Sequence, residues 1–149
     1  MNHTTPSTEG QGAAMAAEAL SVAIAVDNDA FRKMAASSFG RFPAGIAGRL
    51  VYTQGVMDIP EPHFSEVFER VAEFTDFNGE NDPHGEHDFG SFDIAGQTVN
   101  WKFDYFADAT CAWGSEDPSD RAKTFRVLTV MLASEPLADR RLPANAEKR

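Results

Sequence analysis

One cysteine, two tyrosines and a near-absence of bases from its middle are the scarcities of this 149-residue chain. The lone Cys111 cannot close an internal disulfide, which fits a reducing compartment and predicts a cytoplasmic protein. Long apolar runs are also missing. The stretch from Ala13 to Val26 is interrupted by Glu18, is too short to span a bilayer and has no basic segment ahead of it. It reads as helix, not as a signal peptide or a membrane span. Basic residues are scarcest between Asp58 and Asp120, where sixteen acids face only Arg70 and Lys102, a balance of −14 within a net charge of −10. Met1 to Met57 is neutral, and Arg121 to Arg149 carries +4. An acidic middle repels phosphate backbones and anionic lipid, so neither nucleic acid nor membrane is expected as a direct partner. A basic protein surface remains as the partner that this charge accepts.

What is present is enough for one core. Apolar residues make up 42% and twelve are Phe, in a length that supports a single domain. Residues 1–12 are Thr/Ser/Gly-rich without an apolar period and are expected to form a disordered tail, 13–136 the domain, and 137–149 a polar C-terminal tail. Ala13 to Ala36 predicts one or two helices, with Asp27-Asn28-Asp29 as a break or a new N-cap. Arg49 to Gln54 predicts a strand with Leu50 and Tyr52 on one face and Val51 and Thr53 on the other. Phe64, Val67, Phe68, Val71 and Phe74 recur at helical spacing behind Pro60 and Pro62. Asp117, Pro118 and Asp120 resemble a helix start and Pro136 a stop, so the apolar run Phe125 to Leu132 is expected to be a buried helix.

Between these helices, Phe89 to Ile94 and Gln97 to Phe106 flank the two-residue turn Ala95-Gly96, which predicts a hairpin. Ile94 opposite Gln97 and Phe92 opposite Val99 put Phe92, Ile94, Val99, Trp101 and Phe103 on one face. A slip by one residue would scatter them. Carried backwards, the same register brings His87 opposite Asp104. The expected fold is α+β: a small antiparallel sheet, one strand plus the hairpin, packed against amphipathic helices.

The densest polar cluster is Asn81-Asp82-Pro83-His84-Gly85-Glu86-His87-Asp88-Phe89-Gly90. The block Gly85-Glu86-His87-Asp88-Phe89-Gly90 resembles a family of small, chiefly proteobacterial proteins described only as a domain of unknown function. So do Asn28-Asp29-Ala30-Phe31-Arg32, Arg49-Leu50-Val51, Gly55-Val56, Trp101-Lys102-Phe103-Asp104-Tyr105 and Arg126 to Ala133. The resemblance implies no activity. Its members are common on plasmids and other mobile elements, which implies a role in genetic conflict or plasmid maintenance. In that family the position of His84 is often Tyr, which weighs against a metal site that needs His84.

A metal site here would use His84 and His87 with a carboxylate from Glu86, Asp88 or Asp104, a weak signal without an HExxH helix or a CxxC pair. A catalytic site would make His87 a general base oriented by Asp104, with Glu86 as a further acid–base group and Cys111 as nucleophile. The plainer expectation is structural, with Glu86, His87 and Asp88 closing a turn against the facing strand. Trp101, Tyr105 and Trp113 are expected to be core and loop anchors. No cofactor is expected. The leading functional expectation is an acidic, non-enzymatic protein-binding module whose surface draws on Asp82, Glu86, Asp88, Asp104, Asp108, Glu116 and Asp117. Encoded on a mobile element, it would inhibit a host defence or nucleic-acid-handling protein, as an anti-defence or anti-CRISPR-like factor. The alternative is a small His/carboxylate enzyme, possible with or without a metal.

Overall fold

The computed structural model describes residues 8–135. Helix α1 (Thr8–Ser37) leads into strand β1 (Gly48–Tyr52), a single turn of helix α2 (Gln54–Met57) and helix α3 (His63–Glu73). Strands β2 (Phe89–Ile94) and β3 (Gln97–Phe106) follow, and β4 (Phe125–Leu132) closes the order. The four strands form one mixed sheet in the order β1-β4-β3-β2. β4 runs parallel to β1 and antiparallel to β3, and β2 pairs antiparallel with β3. The α+β class expected from the sequence is therefore present. The sheet has four strands and is mixed, not one strand plus a hairpin.

The added strand is the segment expected to be the last helix. Its start signals act, but for only one turn. The Asp117 carboxylate accepts from the Ser119 amide and hydroxyl, and Asp120 caps a 3₁₀ turn at Arg121–Lys123 by accepting from the Ala122 amide. The chain is extended from Thr124 onward. Val127, Thr129 and Val130 are β-branched, and the central position in the sheet buries both faces of β4, so its residues, Arg126 and Thr129 apart, read as an apolar run. A short run of that kind looks the same whether it becomes a buried helix or a buried strand.

The hairpin register is as expected, with Ile94 opposite Gln97 and Phe92 opposite Val99. Ala95 and Gly96 both take positive φ, 54° and 75°, the conformation that a two-residue turn matched to strand twist requires. Phe92, Ile94, Val99, Trp101 and Phe103 are all buried. β4 adds Leu128, Val130 and Leu132 to that face, opposite Phe103, Trp101 and Val99. Over it lie Phe31, Ala35 and Ala36 of α1 and Val67, Phe68, Val71 and Ala72 of α3, forming one core. At 25 cal/mol per Å², each large apolar side chain buried there contributes roughly 2 kcal/mol. On the other face, Arg49 lies over the Phe125 ring at 5.0 Å and donates to the Ala109 carbonyl at 3.0 Å.

α1 is one unbroken helix, so Asp27-Asn28-Asp29 neither breaks nor caps it. Of the expected N-terminal tail, Thr8 to Gly12 form the first turns of α1, while residues 1–7 lie outside the described residues. So do Pro136 and the expected C-terminal tail at 137–149. Among the described residues, no helix is long and apolar enough to cross a membrane.

Candidate functional site

Successive residues of an α-helix point about 100° apart, so three polar neighbours can serve three different partners. Asp27, Asn28 and Asp29 do so from one turn of α1. Asp27, buried, accepts from Arg121 Nη2 at 2.8 Å and Nε at 3.2 Å. Asn28, fully buried, accepts from Arg126 Nε at 2.8 Å. It donates through Nδ2 to the Tyr105 hydroxyl at 2.8 Å and the Glu86 carbonyl at 3.0 Å. Asp29 accepts from Arg32 Nη2 at 3.0 Å and lies 3.0 Å from His87 Nδ1. One helical turn thus ties β3, β4 and the loop between α3 and β2 to α1.

His87 is not beside Asp104. The ladder stays in register through Asp88, whose carbonyl accepts from the Phe103 amide at 2.9 Å. At His87 the chain takes φ 55° and leaves the sheet, turning the imidazole away from β3 and toward α1. The register was sound; extending it past the last paired residue was not. Asp82 makes the bend, because its Oδ1 accepts from the His87 amide at 3.0 Å and its Oδ2 lies 3.7 Å from His87 Nε2. Asp104 pairs instead with Lys102 at 2.8 Å. The pairing that could orient a general base therefore comes from Asp29, and the imidazole has a carboxylate on each nitrogen side.

The His87 ring also stacks on Phe77, with centroids 4.0 Å apart and planes within 1°. Behind Phe77 lies Arg32, its guanidinium 5.6 Å from the Phe77 centroid and 4.8 Å from that of Trp101. Arg32 is 1% exposed and donates to the carbonyls of Val71 at 2.6 Å and Ala72 at 3.2 Å, the last turn of α3. A cation at that end of a helix meets the negative end of its dipole. Burial pulls the Arg32 pKa down, and the hydrogen bond and charge of Asp29 oppose this. Arg126 is held likewise: burial lowers its pKa against the attraction of Asp27 and Tyr105.

Two carboxylates of the block are strained electrically. The Glu86 pKa is raised first by burial and then by the Asp88 charge, against a hydrogen bond from Tyr105. Asp88 is raised chiefly by burial, with Asp82 and Asp104 adding to it. Burial also pushes the Tyr105 phenol up. A carboxyl whose folded pKa is raised binds its proton more tightly in the folded chain. Its favourable contribution is complete below the unfolded pKa and is lost as pH rises through the folded one. Glu86→Gln is therefore expected to melt above the wild type at neutral pH, with the difference closing as pH falls through the raised folded value and gone below about 4. A melting difference independent of pH would show that Glu86 carries no such penalty.

The remaining expected site residues do not gather here. His84 is exposed, and among the described residues no three His, Cys, Asp or Glu side chains are grouped to hold a metal. Cys111, weighed as a nucleophile beside His87, is half-buried with φ 56° in the β3–β4 loop, its thiol 3.9 Å from the Ala109 carbonyl. Asp82 has a side chain 5% exposed and engaged with His87, so it offers little to a partner. Asp108 and Glu116 are exposed on the β3–β4 loop, with half-buried Asp117 next to them. Trp101 is a core residue as expected, and Tyr105 joins the buried polar network. Trp113 is 79% exposed and anchors nothing in the core. Reading the block by itself missed Asp29, Arg32, Phe77 and Arg126 as its partners; only the shared resemblance in Asn28 to Arg32 and Arg126 to Ala133 marked three of them.

Compared with known proteins, residues 52–135 match one family model, described as a protein of unknown function (DUF3768). The match takes in α3, the His87 block, the hairpin and β4, and begins after the Asn28–Arg32 segment that faces them. No curated protein and no solved structure matches the chain.

Proposed function

This chain belongs to the DUF3768 family, and from its own residues we propose that it is a non-enzymatic protein-binding module whose β3–β4 loop docks on a basic partner. The observation that carries this reading is Trp113, 79% exposed on a loop whose backbone is tied down. Ala107 donates to the Trp113 carbonyl at 2.8 Å, Gly114 bridges to Phe106, and Ser115 donates through its amide to Tyr105 at 3.0 Å and through its hydroxyl to Lys123 at 2.9 Å. A rigid, exposed indole binds with little ordering cost, and Trp is enriched among residues that dominate interfaces. Asp108 and Glu116 flank it in sequence. Asp108 and Asp117 are held ionised, their pKa values lowered by hydrogen bonds from Thr110 and Ser119. An anchor with an acidic rim suits a basic groove, of the kind that otherwise holds nucleic acid. On a mobile element the owner of such a groove would be a host defence or nucleic-acid-handling protein.

The His87 enzyme has less to support it. Both ring nitrogens face carboxylates and one ring face lies on Phe77, so the imidazole is committed to the fold. Affinity capture from the host, read by mass spectrometry, supplies the partner for the test. It is expected to be basic and to associate more slowly as salt rises. Trp113→Ala should weaken binding about 30-fold, the size of an interface hot spot, and leave the melting temperature unchanged. An on-rate indifferent to salt, or full affinity in Trp113→Ala, would refute the reading.

A further inference from the structure

We propose that the protruding half of α1 pairs with the same segment of a second copy of this chain, antiparallel, in a weak dimer. α1 is 30 residues long, about 45 Å, yet Gly10 to Leu20 are exposed at every position. A helix of that length standing alone in water is marginal, and one so apolar is ordinarily covered. Its outward face has a regular pattern. Gly12, Met15, Ala19, Val22 and Val26 follow one another at alternating steps of three and four residues. Met15 is 71%, Val22 56% and Val26 57% exposed. A repeat of about 3.5 residues is the spacing that seats one helix along another. It selects a helix as the occupant.

Charge selects which helix. Gly10 to Val26 holds a single charge, Glu18, so a basic partner finds almost nothing to pair with. Copies of a chain with net charge −10 repel one another elsewhere and approach most easily along this segment, whose one charge is Glu18. An antiparallel pair crossing at Ala19 sets Gly12 level with Val26 and brings Met15 within one residue of Val22. It also keeps the two acidic bodies at opposite ends. A parallel pair would stack Gly12 on Gly12 and bring the bodies together. Beside Val26 lies a cleft of about 640 Å³, lined by Ala23, Asp27, Ser119, Asp120 and Arg121. The antiparallel arrangement points the start of the partner helix toward it. The seam from Gly12 to Val26 is only about 22 Å long. It buries less than the roughly 800 Å² per partner of a standard interface, so the dimer is expected in the micromolar range or weaker.

Sedimentation of the full chain over about 10 μM to 1 mM tests this. The wild type should shift from monomer to dimer, and Met15→Glu/Val22→Glu should remain monomeric with an unchanged melting temperature, since both positions are exposed. In a Cys111→Ala background, Ala19→Cys should form a disulfide-linked dimer under mild oxidation and Gly12→Cys should not. A wild type that stays monomeric throughout overturns the proposal, as does a dimer that survives the double glutamate variant. Gly12→Cys cross-linking as readily as Ala19→Cys overturns the antiparallel arrangement.

Discussion

Gly90→Ala is expected to be strongly destabilising. A Cβ at this position would lie 2.4 Å from Trp101 Nε1, 2.5 Å from Cε2 and 2.7 Å from Cζ2. Trp101 is fully buried and wedged edge-on against Phe74, Phe77 and Phe103, with the Arg32 guanidinium over its ring, so it has no vacant direction in which to retreat. Overpacking of this kind costs about 3 kcal/mol, which lowers the melting temperature of a domain this size by roughly 10 °C. Denaturant midpoints would read it directly. The cause can be separated from a general effect on strand propensity by adding Trp101→Phe. The smaller ring withdraws the indole atoms that the new methyl meets, so the double variant should lose less than the two single losses combined. Strict additivity would show that the indole is not what Gly90 accommodates. The final glycine of the Gly-Glu-His-Asp-Phe-Gly block thus has a packing reason independent of any chemistry at His87.

Arg32→Met should cost a similar amount by a different route. The stem of the side chain is kept, but the donors to Val71, Ala72 and Asp29 are removed, and with them the cation between Phe77 and Trp101. Removing one member of a buried charged pair costs about 3–5 kcal/mol, because the partner is left without compensation. Asp29 keeps only His87, and α3 loses the cation at its carbonyl end. Amide exchange should therefore quicken first in the last turn of α3 and in the loop carrying Asp82 and His87. Arg32→Lys should rescue little, since an ammonium cannot reproduce the fork that reaches two carbonyls and a carboxylate together. An unfolding free energy within about 0.5 kcal/mol of the wild type's would mean that the desolvation of Arg32 cancels its bonds.

Local pattern was sufficient wherever the residues that define an element also complete it. The 3.6-residue stripe of α3 has its partners on one face, and the hairpin has its turn and both strands within eighteen residues, Phe89 to Phe106. Charge is equally local, so the acidic middle of the chain could be counted directly. The identity of Phe125 to Leu132 was another matter. Apolar round most of its circumference, it suited a buried helix as well as a central strand, and the choice depended on β1 and β3, far away in the sequence, leaving a slot between them.

The polar site divides along the same line. That Glu86, His87 and Asp88 form a functional-looking block is written in their order; that they face α1 is not. Asp29 and His87 are 58 residues apart and Asn28 and Arg126 are 98 apart, and no spacing rule links them. His87 looked toward Asp104 only as long as the strand was imagined to continue. The Asp82 carboxylate turned the backbone two residues before the ladder begins at Phe89, and the packing of α1 supplied a different acid. Composition and periodicity by themselves determined an acidic α+β chain, its amphipathic helix and its hairpin, because each depends on neighbours in sequence. The tertiary structure alone decided which strand fills the sheet, which carboxylate meets His87 and which tryptophan faces water, because those depend on surfaces brought together only when the core closes.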